Sequence, residues 1–483
     1  MEKNDRAELN IPAGCVWLLL AFVPVIVILV SFILGGWSWG LMDDYSWVKM
    51  PGTVWERMSG SIGNPFLAGR FLPVHVLHSA FFYKIFAENP TAFYIFRWVE
   101  CVVALGLWAF LSFRVTRSQF AAPLFIFVTL SFYKVYDAFF FLSTQEILGI
   151  LFFGAAALFF LNAVESRFTD GGKIRWNSFS AGVVLLMLTF GSKEPFLVAG
   201  AALGISSIVV SLADRKKGIL SLGIIGLMLA VAYAVFLKLF VMKGYSATYA
   251  ATDPGVIGEN LMLWAQKDLP FHVPWILLAA LLMVCFFRTA FQKWTAVRTW
   301  AFLTGVTAYL GYLLVILPWS AWGHYVTPLG VFFGFAIAVL LADRIERLAL
   351  SHTAGLFLLM FAFSMIVGAM ALKFYATYQY DSANLMKWLA TNSLFEHEVS
   401  LGAVVRGNAW EPCETIVNQV NGIYGKNYEK FVLTSSVREI LADVKTRYYL
   451  WGRHWGDQDL SRLGAMWTPV FISDHWVLFR RMF

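Results

Sequence analysis

Residues 177–212 read NSFSAGVVLLMLTFGSKEPFLVAGAALGISSIVVSL. Two apolar runs, 177–192 and 195–212, meet at Ser192-Lys193-Glu194-Pro195, and neither carries a charge of its own. Their lengths approach the roughly 17–25 residues that cross a hydrocarbon core of about 30 Å. Both are short, so the turn between them is expected to dip into one leaflet. Irregular backbone at that depth is tolerated where it is buried in protein or lines a cavity. Pro195 suits the first turn of the second helix. Lys193 and Glu194 can satisfy each other, or they can face a ligand, because charge at membrane depth is costly and is functional by default.

The same pattern recurs along the chain. Apolar spans are expected at about 15–35, 94–114, 119–137, 146–164, 177–192, 195–212, 218–240, 273–290, 299–317, 325–342 and 352–372. Composition agrees, with 59% hydrophobic and only 14% charged residues among 483 and a mean hydropathy of +0.66. A soluble domain carries about 25% charged residues, and single soluble cores stop growing near 250–300 residues. The expected fold is therefore an all-α polytopic membrane protein of about eleven transmembrane helices. A tail from 373 to 483 reads as a small α/β domain. In it, Lys430–Ser435 reads as a strand, Ser436–Lys445 as a helix and Val470–Phe479 as strands. Residues 1–372 form the membrane domain, including a long first loop, 36–93, whose apolar stretch at 71–86 suits interfacial helices.

Charge sets the expected orientation. Arg114 and Arg117; Arg167, Lys173 and Arg175; Arg215, Lys216 and Lys217; Arg288, Lys293 and Arg298; and Arg344 and Arg347 fall in alternate loops. Positive loops mark the cytoplasmic side. The N-terminus is then cytoplasmic and the C-terminal domain extracytoplasmic. These positions account for the net charge of +7 without nucleic acid. Cys15, Cys101, Cys285 and Cys413 have no metal-like spacing and imply no disulfide framework. The first span lacks a small-residue cleavage site and reads as a signal anchor.

The polar residues left over gather on the outer side. Asp43 and Asp44 follow the first span and are flanked by Trp37, Trp39 and Trp47. Arg70, His75 and His78 lie in the first loop, Gln145 and Glu146 open the fourth span, and His324 and Tyr325 open the tenth. Adjacent carboxylates suit a general base beside a group that tunes it, or simply a solvated loop. Arg70 can hold a phosphate bidentately. His75 and His78 share a helical face, which suits interfacial packing better than a metal site, since no carboxylate lies near them in sequence.

In this order the motifs resemble the GT-C superfamily of polyprenyl-phosphate-sugar-dependent glycosyltransferases, which includes protein O-mannosyltransferases and aminoarabinose transferases. Met42-Asp43-Asp44-Tyr45 matches the acidic pair that opens the family's first outer loop. Arg70-Phe71-Leu72-Pro73-Val74-His75 is a looser match, with its proline displaced. Glu146 matches an acidic residue opening the fourth span, and Ser192 to Pro195 a (S/T)-K-(E/G)-P turn. His324-Tyr325-Val326-Thr327-Pro328 matches an (R/H)-Y-x-x-P element. The likeness covers roughly residues 15–345, and Trp319-Ser320-Ala321-Trp322 does not supply the oligosaccharyltransferase WWD signature.

The resemblance implies a transferase in a bacterial inner membrane. It would move a sugar from a polyprenyl-phosphate donor to an acceptor hydroxyl on the outer face, with inversion. Asp43 would be the base, and Asp44 would orient the acceptor or help bind a metal. Lys193 and Arg70 would hold the donor phosphate. Glu146, Glu194, His324, Tyr325 and His75 would line the cavity. The partners implied are the lipid-linked donor, membrane lipid, and a glycan or protein acceptor, with a surface polysaccharide such as O-antigen favoured. A divalent metal is left open. A flippase of lipid-linked sugars, an O-antigen polymerase or ligase, and a non-catalytic scaffold are the competing readings. No repeat symmetry of the transporter kind is evident.

The orientation is directly testable. In intact cells, Ser435→Cys is expected to react with an impermeant thiol reagent, and a cysteine beside Lys216 is expected to stay unlabelled. The reverse pattern would put the polar residues on the wrong side for an extracytoplasmic site.

Overall fold

The structure is a computed structural model that describes residues 13–35, 53, 55–56, 72–87, 89–142, 144–169, 174–214, 217–241, 254–285, 294–318, 324–392, 400–404, 416, 431–434, 442, 446–453 and 466–482. Asp43, Asp44 and Arg70 lie outside these residues, as does the side chain of His324.

Helix α1 (Ala13–Gly35) is uncharged and apolar apart from Ser31, whose hydroxyl donates to the Val27 carbonyl. It buries Ala21, Val25, Ile28 and Phe32 and exposes Leu19, Ile26 and Leu34. Helix α2 (Pro73–Phe86) follows within the expected interfacial stretch, with Pro73 in its first turn. Helix α3 (Pro90–Thr116) starts where the Asn89 side chain accepts from Ala92 N, and stops at Arg117, whose φ of 60° is left-handed. Helix α4 (Ala121–Leu130) runs into a 3₁₀ turn, Tyr133–Tyr136, and the short helix α5 (Asp137–Phe140). The chain bends there by 92°.

Helices α6 (Glu146–Thr169) and α7 (Trp176–Ser192) form a hairpin. A second 3₁₀ turn, Glu194–Phe196, leads into α8 (Leu197–Asp214) and then α9 (Lys217–Phe236). Glycines let α8 and α9 approach closely: a Cβ on Gly204 would lie 3.0 Å from the Gly223 carbonyl oxygen. Helix α10 (Pro254–Leu263) passes through a π-helical turn, Trp264–Asp268, into α11 (Leu269–Cys285). Helix α12 (Ala296–Ile316) is followed by a third 3₁₀ turn, His324–Val326, and α13 (Thr327–Glu346). Helix α14 (Leu350–Thr391) ends the bundle.

Among the described residues, nine helices are long and apolar enough to cross a membrane. The bent pair α4–α5 and the shorter apolar α7 complete the set, so each expected span corresponds to a helix. Helix α13 is the axis of the bundle: 83% of its apolar window is buried, against 28% for α1. Gly330 and Gly334 open its surface to Val135, Phe132 and Thr129 from the bent segment.

Two boundaries differ from expectation. The span placed at 273–290 belongs to continuous helix from Pro254 to Cys285. The last span runs on to Thr391, across the boundary drawn at 373. Its C-terminal part carries Tyr375, Tyr378, Gln379, Asp381 and Ser382, all buried. These residues end the apolar signal without ending the helix.

Among the described residues, five strands form one sheet in the order β2-β1-β3-β5-β4. They are β1 (Ser400–Val404), β2 (Phe431–Thr434), β3 (Thr446–Gly452), β4 (Trp467–Ile472) and β5 (Trp476–Arg481). β1 pairs in parallel with β2 and β3, whereas β5 pairs antiparallel with β3 and β4. The strands expected at 430–435 and 470–479 are present, β1 and β3 are additional, and the helix expected at 436–445 lies outside the described residues apart from Ala442. The β4–β5 turn seats on α14. Asp381 accepts from His475 N and from His475 Nδ1 at 3.0 and 2.9 Å, and Trp476 Nε1 donates to Ser382 Oγ at 3.1 Å.

Candidate functional site

The three 3₁₀ turns lie at one end of the bundle, opposite the helix ends that carry Arg114, Arg117, Arg298 and Arg344. At the basic end, Arg114 and Arg117 meet Glu165 at 2.5 and 3.0 Å, and Arg298 pairs with Asp343. At the other end the helices break, and the breaks carry the polar side chains.

Lys193 sits between α7 and the second 3₁₀ turn in extended backbone, φ −162° and ψ 139°. That conformation takes its side chain off the helical path. Ser192 Oγ donates to the Leu188 carbonyl at 2.8 Å, and Phe196 N donates to the Lys193 carbonyl at 3.1 Å. The Phe196 ring fills the notch at Gly149 on α6, where any Cβ would collide with it. Gly149 lies one helical turn beyond Glu146. Seating Phe196 there brings Lys193 to the start of α6.

Lys193 Nζ forms an ion pair with Glu146 Oε1, with side-chain exposures of 1% and 0%. The same ammonium stands 3.7 Å from the centre of the Tyr325 ring, well inside cation–π range. Three motifs far apart in sequence thus contribute to one buried cluster. Glu194 is buried beside it and lies within electrostatic reach of the hydroxyls of Tyr312 and Tyr233. Lys193 thus pairs with Glu146 between the start of α6 and the end of α7.

His75 is fully buried on α2, and α2 packs on the end of α7 through Val74 and Pro73 at Gly191. His78 turns to α3 and bonds Glu100, which also lies 3.6 Å from Arg97. The carboxylate missing from the local sequence therefore comes from another helix. Among the described residues, no group of three or more His, Cys, Asp and Glu side chains could hold a metal.

Four polar residues escaped the sequence reading. Lys134 in the first 3₁₀ turn donates to Asp137 Oδ2 at 3.3 Å, and the Tyr375 hydroxyl donates to Asp137 Oδ1. Asp268, on the π-helical turn, is buried and lies within electrostatic reach of Lys134 and Asp137. His272 Nδ1 is 2.8 Å from the Asp268 carbonyl, so Nδ1 is the donor, and Nε2 accepts from the Tyr309 hydroxyl at 3.1 Å. Asp137 is in turn within electrostatic reach of Glu146. Thr327 Oγ1, two residues after Tyr325, donates to the Lys134 carbonyl at 2.9 Å and joins the first turn to the third. The available signal was a Lys-x-x-Asp pair inside an expected span, since such charges are rarely passive.

Breaking a buried ion pair costs on the order of 3–5 kcal/mol, because the surviving charge keeps its desolvation penalty. Glu146→Gln and Lys193→Met are each expected to lower unfolding stability in detergent by about that much. The double variant is expected to lose clearly less than the sum. Additive losses would show that the two side chains are not coupled.

No protein-family model and no curated protein sequence matches the chain. Its structure is similar to the crystal structure of ArnT from Cupriavidus metallidurans bound to undecaprenyl phosphate, with a TM-score of 0.51 and 14% identity over 97% of this chain and 98% of that one. The apo state of the same protein gives a TM-score of 0.50 at 12% identity with the same coverage. A likeness at that identity establishes architecture: the chain shares the fold of that ArnT structure, and its described residues form a bundle of apolar helices with a small sheet at the C-terminal end.

Proposed function

We propose that this chain is an integral membrane glycosyltransferase that moves a sugar from a polyprenyl-phosphate donor to an acceptor hydroxyl on the outer face of a bacterial inner membrane. The observation that carries the reading is the convergence of Glu146, Lys193 and Tyr325 at one end of the bundle. Their motifs are the ones that resemble lipid-phosphate-sugar transferases. The fold adds support, since the ArnT structure it resembles was solved with undecaprenyl phosphate.

In the proposed reaction an acceptor hydroxyl oxygen attacks the anomeric carbon as the bond from that carbon to the phosphate oxygen breaks. Polyprenyl phosphate leaves with the bonding electrons, and Asp43 takes the hydroxyl proton. A single displacement inverts the anomeric centre. Asp44 orients the acceptor. Phosphate is a good leaving group once its charge is held, so the task left to the protein is one base and a set of cations. Lys193 and Arg70 supply cations, and Glu146, Glu194, His75, His324 and Tyr325 shape the site around them. A surface polysaccharide such as O-antigen is the acceptor we favour. In a flippase the polar groups would be expected near the bilayer midplane; here they gather at one end of the helices.

Asp43→Asn keeps the size of the side chain but cannot take a proton at neutral pH. Its turnover is expected to fall by a factor on the order of 10²–10⁴, with donor binding retained. Asp44→Asn is expected to be the milder lesion. A reversed order would move the base to Asp44. Near-normal turnover in both single variants and the double variant would remove the acidic pair from the mechanism.

A further inference from the structure

Lys193 and Lys134 occupy the same end of the bundle but differ in what they have left to give. Lys193 is largely committed: its side chain is 1% exposed, paired to Glu146 and set against the Tyr325 ring. The Lys134 side chain is 29% exposed, whereas its partner Asp137 is 2% exposed. An ammonium has three N–H donors. Among the described residues, Asp137 is the one hydrogen-bond acceptor for the Lys134 ammonium. Asp137 is committed on both sides, with one oxygen held by Tyr375 on α14. The pair is thus anchored on its acidic side and open on its basic side.

We propose that Lys134 is a further cation for the phosphate of the polyprenyl lipid, beside Lys193 and Arg70, and that Asp137, pinned by Tyr375, is the residue that positions it. The inference rests on the transferase reading above. A phosphate that leaves with an electron pair gains charge as the bond breaks, and Lys193, already paired with Glu146, compensates only part of it. Lys134 is held where it can help. Its carbonyl accepts from Thr327, two residues along the chain from the Tyr325 ring that covers Lys193. Its backbone lies in a 3₁₀ turn at the 92° break, where the chain leaves the helical path. Asp268 is the other carboxylate within electrostatic reach of the ammonium, so Asp268→Asn should strengthen the hold on an anion.

The test is a binding measurement on the purified full-length protein in detergent, with undecaprenyl phosphate, undecaprenol and inorganic phosphate as probes. Wild type is expected to prefer undecaprenyl phosphate to undecaprenol by at least about tenfold, the worth of a charge-assisted hydrogen bond. Lys134→Ala should remove most of that preference and leave undecaprenol binding unchanged. Lys134→Arg should retain most of it, and Tyr375→Phe should fall between. Wild-type affinity for the lipid phosphate in Lys134→Ala would overturn the inference while leaving the transferase reading intact. An equal loss for undecaprenol would assign Lys134 to the fold and also overturn it. Inorganic phosphate competing as well as the lipid would overturn the lipid assignment. A wild-type protein with no preference for the phosphate would overturn both the inference and the reading beneath it.

Discussion

The structure turns on a lysine and a glutamate taken almost completely out of water and set against each other. Neither Lys193 nor Glu146 can be left alone at that depth, because an isolated buried charge costs several kcal/mol even after the surroundings relax. The pair forms only if α6 and α7 bring their ends together in one register. The Gly149 notch, the Phe196 ring and the extended backbone at Lys193 are the local means of doing so. Tyr325 then covers the ammonium from the 3₁₀ turn that leads into α13, so the central helix is tied to the same point. One electrostatic requirement thereby fixes the mutual placement of three helices at the end where we propose the site lies.

The other breaks follow a similar logic. A helix that ends inside a membrane protein leaves backbone groups that need partners, and these are supplied by the polar side chains at the breaks. Thr327 bonds the Lys134 carbonyl, Asn260 bonds the Leu317 carbonyl, and Arg97 bonds the carbonyls of Leu142 and Thr144. A surface able to face a charged ligand is a by-product of satisfying interrupted backbone. The C-terminal part of α14 extends this frame. Within two helical turns it reaches Asp137 through Tyr375, Tyr94 through Gln379, and the C-terminal sheet through Asp381 and Ser382. The small domain is therefore fastened to the helix that anchors the Lys134–Asp137 pair.

Much of this was legible in the sequence, because apolar length is a strong signal. Every expected span corresponds to a helix, and the strands at 430–435 and 470–479 are present. Glu146, Lys193 and Tyr325 could each be singled out as polar residues at the mouths of apolar runs. Their contact could not, since Lys193 and Glu146 are separated by 47 positions and the neighbour in sequence, Glu194, offered a simpler pair. Lys134 and Asp137 were hidden by the span that contains them: the apolar residues around them carry the window, and a 92° bend leaves no compositional mark. The length of α14 was hidden for the opposite reason, because its outer turns bury tyrosines and polar groups against protein instead of lipid. Asp43, Asp44 and Arg70 lie outside the described residues, and their roles rest on the sequence alone.

The central claim is that a lipid phosphate is the leaving group. Incubating the purified protein with a panel of polyprenyl-phosphate sugars and a polysaccharide acceptor, and measuring free polyprenyl phosphate, tests it most directly. The account predicts release for at least one sugar, dependent on acceptor and abolished in the Asp43→Asn, Asp44→Asn double variant. Acceptor-independent movement of intact donor across a vesicle membrane, with no release of polyprenyl phosphate from any member of the panel, would contradict it.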